Sequence, residues 1–472
     1  MESPRVGRWN PSASARGSVV PITGCRDQPT RGNRQPCRDR DERKGQSVST
    51  QESAGRARQN TIYRDGVFGK RPSVPTDFAG LEAAARRKMS PKAWAYVHGG
   101  AGSGSTMSAN RAAFDRWQIV PRVLRDVSER DLGVELFGRR LPAPVLLAPV
   151  GAAELAHPDA DVAIASAAGE LGVPYIFSNQ GCAPMEESAA AMGDAPRWFQ
   201  LYWSTDDDLV DSFLDRARRI SADAIVVTLD TTMLGWRPED LNLGSLPFAQ
   251  GQGIAQYTSD PVFRRIVRER IAAVTEKPEV KVTLGAVKAL LSMTSRYPGR
   301  FLDNLRSPEP RAAVETFLDI YSRPSLSWSD IESLRERTSL PVLLKGVLHP
   351  DDARRAIDAG VDGLVVSNHG GRQVDGSVAA LDALTDIAPV VDGRLKLVLD
   401  SGIRSGADVF KALALGADAV TLGRPHLYGL ALAGRDGVRD VTANLLAEFD
   451  LTVGLSGLTS VAEIDRDALR RV

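Results

Sequence analysis

Short apolar runs alternate with longer amphipathic stretches from about residue 140 to the C-terminus. Each run has five to seven residues and ends in a polar or glycine-containing turn, after which apolar residues recur at helical spacing. Eight such runs occur, at 144–149, 174–178, 198–202, 224–230, 341–346, 363–368, 395–401 and 419–424. Strands that alternate with helices form parallel sheets, and eight such units are the number that closes a barrel. The pattern predicts an α/β fold of the (β/α)8, or TIM, barrel class, with a doubly wound open sheet as the competing arrangement.

Polar side chains collect where these predicted strands end. In (β/α)8 barrels the chemistry lies at the carboxyl ends of the strands, which meet at one rim. In chain order the run ends carry Val150, Gly151, Ser178, Gln200, Tyr202, Thr228, Asp230, Lys345, Ser367, His369, Asp400, Gly423 and Arg424. A barrel with only a structural role has no need for such a ring, so this rim is the predicted active site.

Two segments depart from the repeating pattern. Residues 1–60 are basic, rich in Ser, Gly, Pro and Gln, and almost without apolar periodicity, which is typical of a disordered tail. The folded domain is therefore expected to span 61–472. A second segment, 239–328, separates the fourth strand from its helix, where two to six residues are usual. Apolar residues at helical spacing predict a helical insertion that packs on the barrel, contacts another subunit or covers the site as a lid.

Composition narrows the expected partners and location. Hydrophobic residues make up 43% and charged residues 25% of the chain, as in soluble globular proteins, and the formal net charge is zero. No global charge therefore favours nucleic acid or an anionic membrane. Three cysteines cannot form a disulfide framework, and no apolar stretch has the length of a membrane span or signal core. We expect a cytoplasmic protein that binds neither nucleic acid nor membrane.

The run SNHGGRQVDG at 367–376 carries the clearest chemistry. It follows an apolar run, and its glycines predict a turn at a strand end. His369 can move a proton near neutral pH, and Arg372 can hold a carboxylate through two parallel hydrogen bonds. A buried structural histidine is the alternative, but the flanking glycines and Arg372 favour a general base and an anion clamp on one loop.

The seventh and eighth strand ends predict a phosphate site. Asp400, Gly402 and Arg404 follow the seventh run, and Gly423 with Arg424 closes the eighth. Glycines let backbone N–H groups approach an anion, and barrels often bind phosphate after strands seven and eight. A phosphate-bearing ligand is therefore expected there, with a pair of helix-capping turns as the alternative.

Three other charged residues have open roles in the sequence. Asp230 can orient an imidazole or cap a turn, and Arg237 can bind a carboxylate or remain solvated. Lys345, in an apolar run, suits either a Schiff base or a fixed positive charge beside an electron-accepting cofactor. The remaining histidines lack metal-ligand spacing, so no metal is expected.

The motif at 367–373 resembles the signature of the FMN-dependent α-hydroxy-acid oxidising enzymes, and the resemblance extends from about Ile62 to the C-terminus. The lactate monooxygenase branch is the most similar, on the segments 229–238, 247–263 and 349–355. The turn at 178–182 departs from the apolar sequence of that branch, and Gln180 is expected to line the pocket. Gly151 keeps the small residue, Ala or Gly, that the family carries beside the flavin.

The resemblance implies roles for individual residues. His369 would accept the hydroxyl proton while the α-hydrogen passes to flavin N5, or the α-proton in a carbanion route, and Asp230 would pair with the imidazolium. The substrate carboxylate would be held by Arg237, Arg372 and Tyr96, while Tyr202 would contact the substrate oxygen. Lys345 would face the flavin N1 and C2 region, which favours its cofactor role. The residues implied to hold FMN are Val150, Gly151, Ser178, Gln200, Thr228, Lys345, Ser367, Asp400, Gly402, Arg404, Gly423 and Arg424.

The implied activity is the oxidation of a small L-2-hydroxy acid, with L-lactate as the leading candidate and molecular oxygen as the acceptor. If the 2-keto acid stays in the pocket, lactate yields acetate, carbon dioxide and water; if it leaves, the products are pyruvate and peroxide. A dehydrogenase, or a peroxide-forming oxidase of another hydroxy acid, is the runner-up. An aldolase-like barrel and a non-catalytic binding module are more distant alternatives. A homo-oligomer, as a tetramer, is also implied.

Overall fold

The computed structural model describes residues 53–274 and 283–472. Its strands in these ranges are β1 (Trp117–Ile119), β2 (Val134–Leu136), β3 (Arg139–Leu141), β4 (Val145–Leu147), β5 (Tyr175–Phe177), β6 (Arg197–Leu201), β7 (Ala224–Thr228), β8 (Val342–Val347), β9 (Gly363–Val366), β10 (Lys396–Leu399), β11 (Ala419–Leu422) and β12 (Leu469–Arg471). Strands β4 to β11 form a closed barrel in which every neighbouring pair is parallel. Each of the eight predicted runs coincides with one of these strands, so the (β/α)8 prediction is confirmed and the open sheet is wrong.

Helices surround the barrel, and other helices precede its first strand, β4, and follow its last strand, β11. They are α1 (Ala54–Val67), α2 (Phe78–Lys88), α3 (Pro91–His98), α4 (Ser105–Asp115), α5 (Ala160–Leu171), α6 (Met185–Met192), α7 (Asp207–Arg219), α8 (Pro238–Asn242), α9 (Ala255–Thr258), α10 (Pro261–Ala273), α11 (Leu284–Arg296), α12 (Phe301–Arg306), α13 (Glu309–Ile320), α14 (Trp328–Arg337), α15 (Pro350–Asp358), α16 (Ala380–Val391), α17 (Gly406–Ala414) and α18 (Arg424–Leu455). Short 3-10 helices are Ala153–Leu155, Pro247–Gln250, Val461–Glu463 and Arg466–Ala468. Among the described helices, none has the length and apolar character to cross a membrane.

The barrel interior is a packed apolar core. Alternate residues of the strands point inward, as the two-residue period of a strand requires, and these include Trp198, Val226 and Leu343. The β2–β3 hairpin closes one end, where Phe137 packs edge-on against Trp198 with ring centroids 5.6 Å apart. The polar carboxyl ends of the strands therefore open on the opposite side.

The expected tail boundary near residue 60 is too late. Helix α1 begins at Ala54 with Ser53 as its N-cap, and it packs against α18. The Gly55 backbone N–H donates to Asp450 at 2.8 Å, and Arg58 donates to Asn444 at 2.8 Å. These contacts come from residues almost 400 positions away, so local composition could not reveal them. Residues 1–52, the rest of the predicted tail, lie outside the described residues.

The predicted insertion between β7 and β8 is largely helical, as α8 to α13 with a 3-10 turn. An aromatic cluster holds it together: the Tyr257 and Phe317 rings meet edge-on at 4.8 Å, and Phe248 lies 5.5 Å from Phe317. In contrast, Leu284 of α11 is 72% exposed. The insertion therefore packs on the barrel through one set of helices and leaves an apolar face of α11 exposed in the single chain.

Candidate active site

A cavity of about 1040 Å³, part of it open to solvent, lies at the carboxyl ends of the barrel strands. Most of the residues expected from the sequence line it, namely Tyr96, Val150, Gly151, Ser178, Tyr202, Arg237, Lys345, His369, Arg372, Asp400, Gly402, Arg404, Gly423 and Arg424. The other four, Asp230, Gln200, Thr228 and Ser367, stand one layer further out, where each hydrogen-bonds to or pairs in register with a lining residue. The structure thus brings all of the expected residues to one rim.

The loop after β9 presents His369 through a glycine-dependent backbone. His369, Gly370 and Gly371 have φ angles of 58°, 66° and 75°, a left-handed path that two glycines make accessible. The His369 backbone N–H donates to Ser367 Oγ at 2.9 Å, which fixes the start of the turn. The strand end therefore turns sharply and directs the imidazole into the cavity.

His369 is paired with the carboxylate of Asp230, whose side chain is 12% exposed. Its Nδ1 lies 2.8 Å from Asp230 Oδ1, and Thr231 Oγ1 donates to the same oxygen at 2.8 Å. Within the described residues Nε2 makes no hydrogen bond, so it is the ring nitrogen available to a ligand. Burial lowers the pKa of His369, and Lys345 lowers it further, while Asp230 opposes both. The imidazole is therefore neutral at pH 7 and can accept a proton, and Asp230 can stabilise the cation that results.

The charges around Asp230 keep it ionised. Burial alone would raise its pKa, but the pairing with His369, the charge of Lys345 and the hydrogen bond from Thr231 lower it below the ordinary value. Its backbone is held as well, because Gln373 Nε2 donates to the Asp230 carbonyl at 2.7 Å. The carboxylate is thus a permanent anion in a fixed position.

Two arginines meet at the His369 end of the cavity. Arg237 donates to the Arg372 carbonyl at 3.1 Å and to Gln373 Oε1 at 2.9 Å. Arg372 donates to the Tyr96 and Gly99 carbonyls at 2.6 and 2.7 Å, and its guanidinium lies 5.1 Å from the centre of the Tyr96 ring. Burial, followed by the charge of Arg237, lowers the pKa of Arg372 to about 9. A bound carboxylate would relieve this repulsion, so the pair is suited to an anion.

Two tyrosines complete this end of the cavity. Tyr96 and Tyr202 are both buried, and burial is the main cause that raises the pKa of each phenol. Both therefore stay protonated at neutral pH and can donate a hydrogen bond to a ligand oxygen.

Lys345 lies at the centre of a buried network. Its Nζ donates to Ser367 Oγ at 3.1 Å and lies 3.6 Å from Asp400 and 3.8 Å from Asp230. Ser367 and Thr421 each donate to Asp400 at 2.6 Å. Burial would raise the pKa of Asp400, but Lys345 and these hydrogen bonds leave it lowered. An ammonium held between two carboxylates suits a fixed positive charge better than a Schiff base, which requires a neutral amine.

A second pair of arginines, Arg404 and Arg424, lies in the segments that follow β10 and β11. Arg424 donates to the His98, Gly370 and Gly99 carbonyls at 3.0 to 3.2 Å, at the N-terminus of α18. Arg404 stacks on the Phe78 ring at 4.4 Å. Burial and the charge of Arg424 lower the pKa of Arg404 to about 10. Two cations and a helix N-terminus together favour an anion such as a phosphate.

Several positioning residues were not found from the sequence. Asn110 and Asn368 exchange two amide hydrogen bonds, at 2.7 and 2.8 Å, and join α4 to the catalytic loop. Ser401 Oγ accepts from the Gly370 backbone at 2.9 Å. Thr231 and Ser401 directly follow Asp230 and Asp400, which the sequence had already placed at the site, so this adjacency could have identified them. No sequence signal could have identified Asn110, because its hydrogen-bond partner, Asn368, is 258 positions away.

The geometry defines a class of protein: a barrel enzyme whose one cavity holds a histidine–carboxylate pair, an arginine pair beside it, and a phosphate-type site after the last two barrel strands. The chain belongs to the FMN-dependent dehydrogenase family, whose model matches residues 85–471. The predicted family and its cofactor, FMN, are thereby confirmed.

Individual members of known sequence or structure are also similar to this chain over most of its length. The FMN-dependent alpha-hydroxy acid dehydrogenase qulF of Penicillium citrinum is 42% identical over 418 residues, which cover 88% of this chain and 95% of that protein. The L-lactate oxidase of Lysinibacillus sphaericus (strain C3-41) is 40% identical over 387 residues, covering 82% of this chain and 90% of that protein. The crystal structure of mandelate oxidase with (S)-4-hydroxymandelic acid matches with a TM-score of 0.68 and 34% identity, over 84% of this chain and 98% of that one.

Polar atoms without partners show that the residues present fit FMN. Gln200 Nε2 and Thr228 Oγ1 are buried at the ends of β6 and β7, and neither makes a hydrogen bond within residues 53–274 and 283–472; Arg404 Nε is in the same state beside Arg424. Gln200 Oε1 is already bound by the Asn179 backbone N–H at 3.0 Å, which directs the amide nitrogen elsewhere. Buried polar groups normally have partners, so these donors are matched to a ligand with acceptors along its length.

Proposed function

We propose that this enzyme oxidises a small L-2-hydroxy acid, with L-lactate as the first candidate, to the 2-keto acid, and that molecular oxygen accepts the electrons. The observation that carries the proposal is the arrangement of His369–Asp230 beside Arg237 and Arg372 in one cavity. A base next to an anion clamp is what a 2-hydroxy acid requires, because its hydroxyl-bearing carbon adjoins its carboxylate. The names of the relatives, an α-hydroxy acid dehydrogenase and an L-lactate oxidase, support the same activity.

In this proposal the two arginines hold the substrate carboxylate. Arg237 Nη1 and the Nε and Nη2 atoms of Arg372 make no hydrogen bond within the described residues, while the other nitrogens are bound to carbonyl and amide oxygens. The bound nitrogens fix the orientation of each guanidinium. The phenol of Tyr96 adds a donor to the carboxylate, and the phenol of Tyr202 contacts the substrate hydroxyl.

His369 moves the proton. Its Nε2 takes either the hydroxyl proton or the proton on the α-carbon, and Asp230, 2.8 Å from Nδ1, stabilises the imidazolium that forms. Both routes use the same atoms of this chain. The carboxylate also keeps the proton of the neutral ring on Nδ1, so the basic nitrogen faces the substrate.

FMN would be held along the rim from Val150 to Arg424. Val150, Gly151, Ser178, Gln200, Thr228 and Ser367 would hold the ring and ribityl chain, while Asp400, Gly402, Arg404, Gly423 and Arg424 would hold the ribityl and phosphate end. When bound, FMN would supply the acceptor for the two electrons that leave the substrate. Lys345 provides a fixed positive charge for that electron-rich state.

Oxidative decarboxylation is a second candidate outcome for the same site. The insertion supplies Phe248 and Tyr321 to the cavity wall, and Phe248 is 5% exposed. For decarboxylation to occur, this wall would have to slow the release of the 2-keto acid. Pyruvate retained beside peroxide would yield acetate, carbon dioxide and water, as in the lactate monooxygenase branch.

Product analysis tests the proposal. The purified yellow enzyme would be given L-lactate in an oxygen electrode, with D-lactate and the Arg372→Met variant as controls. We expect oxygen uptake with L-lactate alone, and either pyruvate with peroxide or acetate with carbon dioxide in equal amounts. Reduction of FMN by L-lactate without oxygen uptake would instead identify a dehydrogenase, and no reaction with any 2-hydroxy acid would refute the proposal.

A further inference from the structure

The side chain of Gln180 places an amide group in the cavity wall, and this amide has no assigned hydrogen-bond partner. Its side chain is 7% exposed and lines the cavity. The backbone is bound, since its N–H donates to Ser178 Oγ at 3.1 Å and its carbonyl accepts from Ala152 at 3.0 Å. The side-chain amide makes no hydrogen bond within the described residues. An amide that faces a cavity in that state is matched to a polar ligand or to bound water.

The amide lies over Gly151 and beside Phe248 in the cavity wall. A Cβ on Gly151 would come 2.9 Å from Gln180 Cβ and 3.0 Å from its Oε1, so the side chain lies over that glycine. A Cβ on Gly253 would likewise come 2.9 Å from the Gln180 carbonyl and 3.0 Å from the Phe248 ring. Gln180 and Phe248 are therefore close neighbours in the wall.

Phe248 lies between Gln180 and the arginine pair, Arg237 and Arg372, that would hold the substrate carboxylate. Its ring meets the Tyr96 ring edge-on at 6.2 Å, and the Tyr96 ring lies 5.1 Å from the guanidinium of Arg372. An acid held by the two arginines would therefore direct its side chain along the wall that Phe248 and Gln180 form.

The turn that carries Gln180 is rigid. Asn179 Oδ1 accepts from the Tyr202 backbone and from the Tyr257 hydroxyl, both at 3.1 Å. The side chain of Gln256 in α9 bonds to the Met185 N–H at 2.9 Å and to the Ala183 carbonyl at 3.0 Å. The insertion thus braces the turn from which the Gln180 side chain extends into the cavity.

We propose that Gln180 is a specificity-determining residue that hydrogen-bonds a polar group on C3 of the substrate. The inference rests on the proposed function. It assigns to the site the short 2-hydroxy acids with a hydroxyl at C3, such as L-glycerate, in preference to those with an alkyl group there, such as L-2-hydroxybutyrate. A hydroxyl can donate to Oε1 or accept from Nε2, whereas a methyl group of the same size leaves the amide unpaired.

The test compares this isosteric pair of acids, with L-lactate as the reference that has neither group. The measured quantity is kcat/KM for L-glycerate divided by kcat/KM for L-2-hydroxybutyrate, in the wild type and in Gln180→Met and Gln180→Leu. The wild-type ratio is expected to exceed about 10, and each variant is expected to lower it at least tenfold. Gln118→Met, at an exposed glutamine on β1, is the matched control and should keep the wild-type ratio.

The FMN content and visible spectrum of each variant separate the other outcomes. A wild-type ratio near one, or a ratio unchanged in both variants, overturns the role of Gln180 while leaving the proposed function in place. A shifted flavin spectrum with an unchanged ratio overturns it too, because the amide would then contact FMN. If no acid, L-lactate included, reduces the flavin of the wild type, the proposed function fails and this inference with it.

Discussion

Replacing Asp230 by asparagine removes the negative charge beside His369 while preserving size and hydrogen-bonding shape. The carboxylate oxygen lies 2.8 Å from Nδ1. At that distance, with an effective dielectric constant of ~20, a full ion pair gives roughly 6 kcal/mol as an upper bound. Because the amide oxygen still accepts a hydrogen bond, we expect a loss of about 3 to 5 kcal/mol of transition-state stabilisation, a fall of roughly 10²- to 10⁴-fold in kcat.

The assay is the anaerobic rate of flavin reduction in a stopped-flow instrument, which isolates this step from the reaction with oxygen. FMN content and melting temperature show whether the variant is folded, and Asp215→Asn, at an exposed surface pair with Arg218, is the matched control. A reduction rate within threefold of the wild type in a folded, FMN-loaded Asp230→Asn enzyme would refute the role given to the His369–Asp230 pair.

Three other perturbations have defined outcomes. Since burial lowers the pKa of His369 and only its neutral form is a base, kcat/KM should fall as pH decreases through a midpoint below the ordinary value of about 6.5; a pH profile checks this, and a midpoint above 7 would contradict it. Lys345→Met removes a charge worth about 1.5 to 3 kcal/mol to the electron-rich cofactor, so the two-electron reduction potential of bound FMN should drop by roughly 30 to 60 mV, which redox titration measures; an unchanged potential would place the lysine away from the flavin. Arg404→Met should weaken FMN binding to the apoprotein about 10- to 100-fold in a fluorescence titration, with a smaller salt dependence than the wild type, and equal affinity would exclude a phosphate contact.

The sequence contained enough to predict the barrel and the rim, because both depend on local signals. Each barrel strand is a β-rich apolar run bounded by turn residues, and a strand end fixes where its polar residue must lie. His369 and Arg372 could be assigned to the same site because they lie on one loop. Asp230 could be assigned to that site as well, because the carboxyl ends of parallel barrel strands meet at one rim.

Long-range contacts account for what the sequence did not reveal. Helix α1 is held by Asp450 and Asn444 of α18, and its own residues are mostly polar, so no local pattern distinguishes it from a tail. The aromatic wall supplied by Phe248 and Tyr321 depends on how the insertion folds back on the barrel. The tetramer and the cytoplasmic location stay predictions.

An anaerobic titration of the purified, FMN-loaded protein with L-2-hydroxy acids tests the central claim most directly, since it follows the visible flavin absorbance without any assumption about the acceptor. We expect L-lactate or a close L-2-hydroxy acid to bleach the flavin, with D-lactate inert and His369→Ala at least 10²-fold slower. A flavin that no 2-hydroxy acid reduces, or one that His369→Ala reduces at the wild-type rate, would contradict the account.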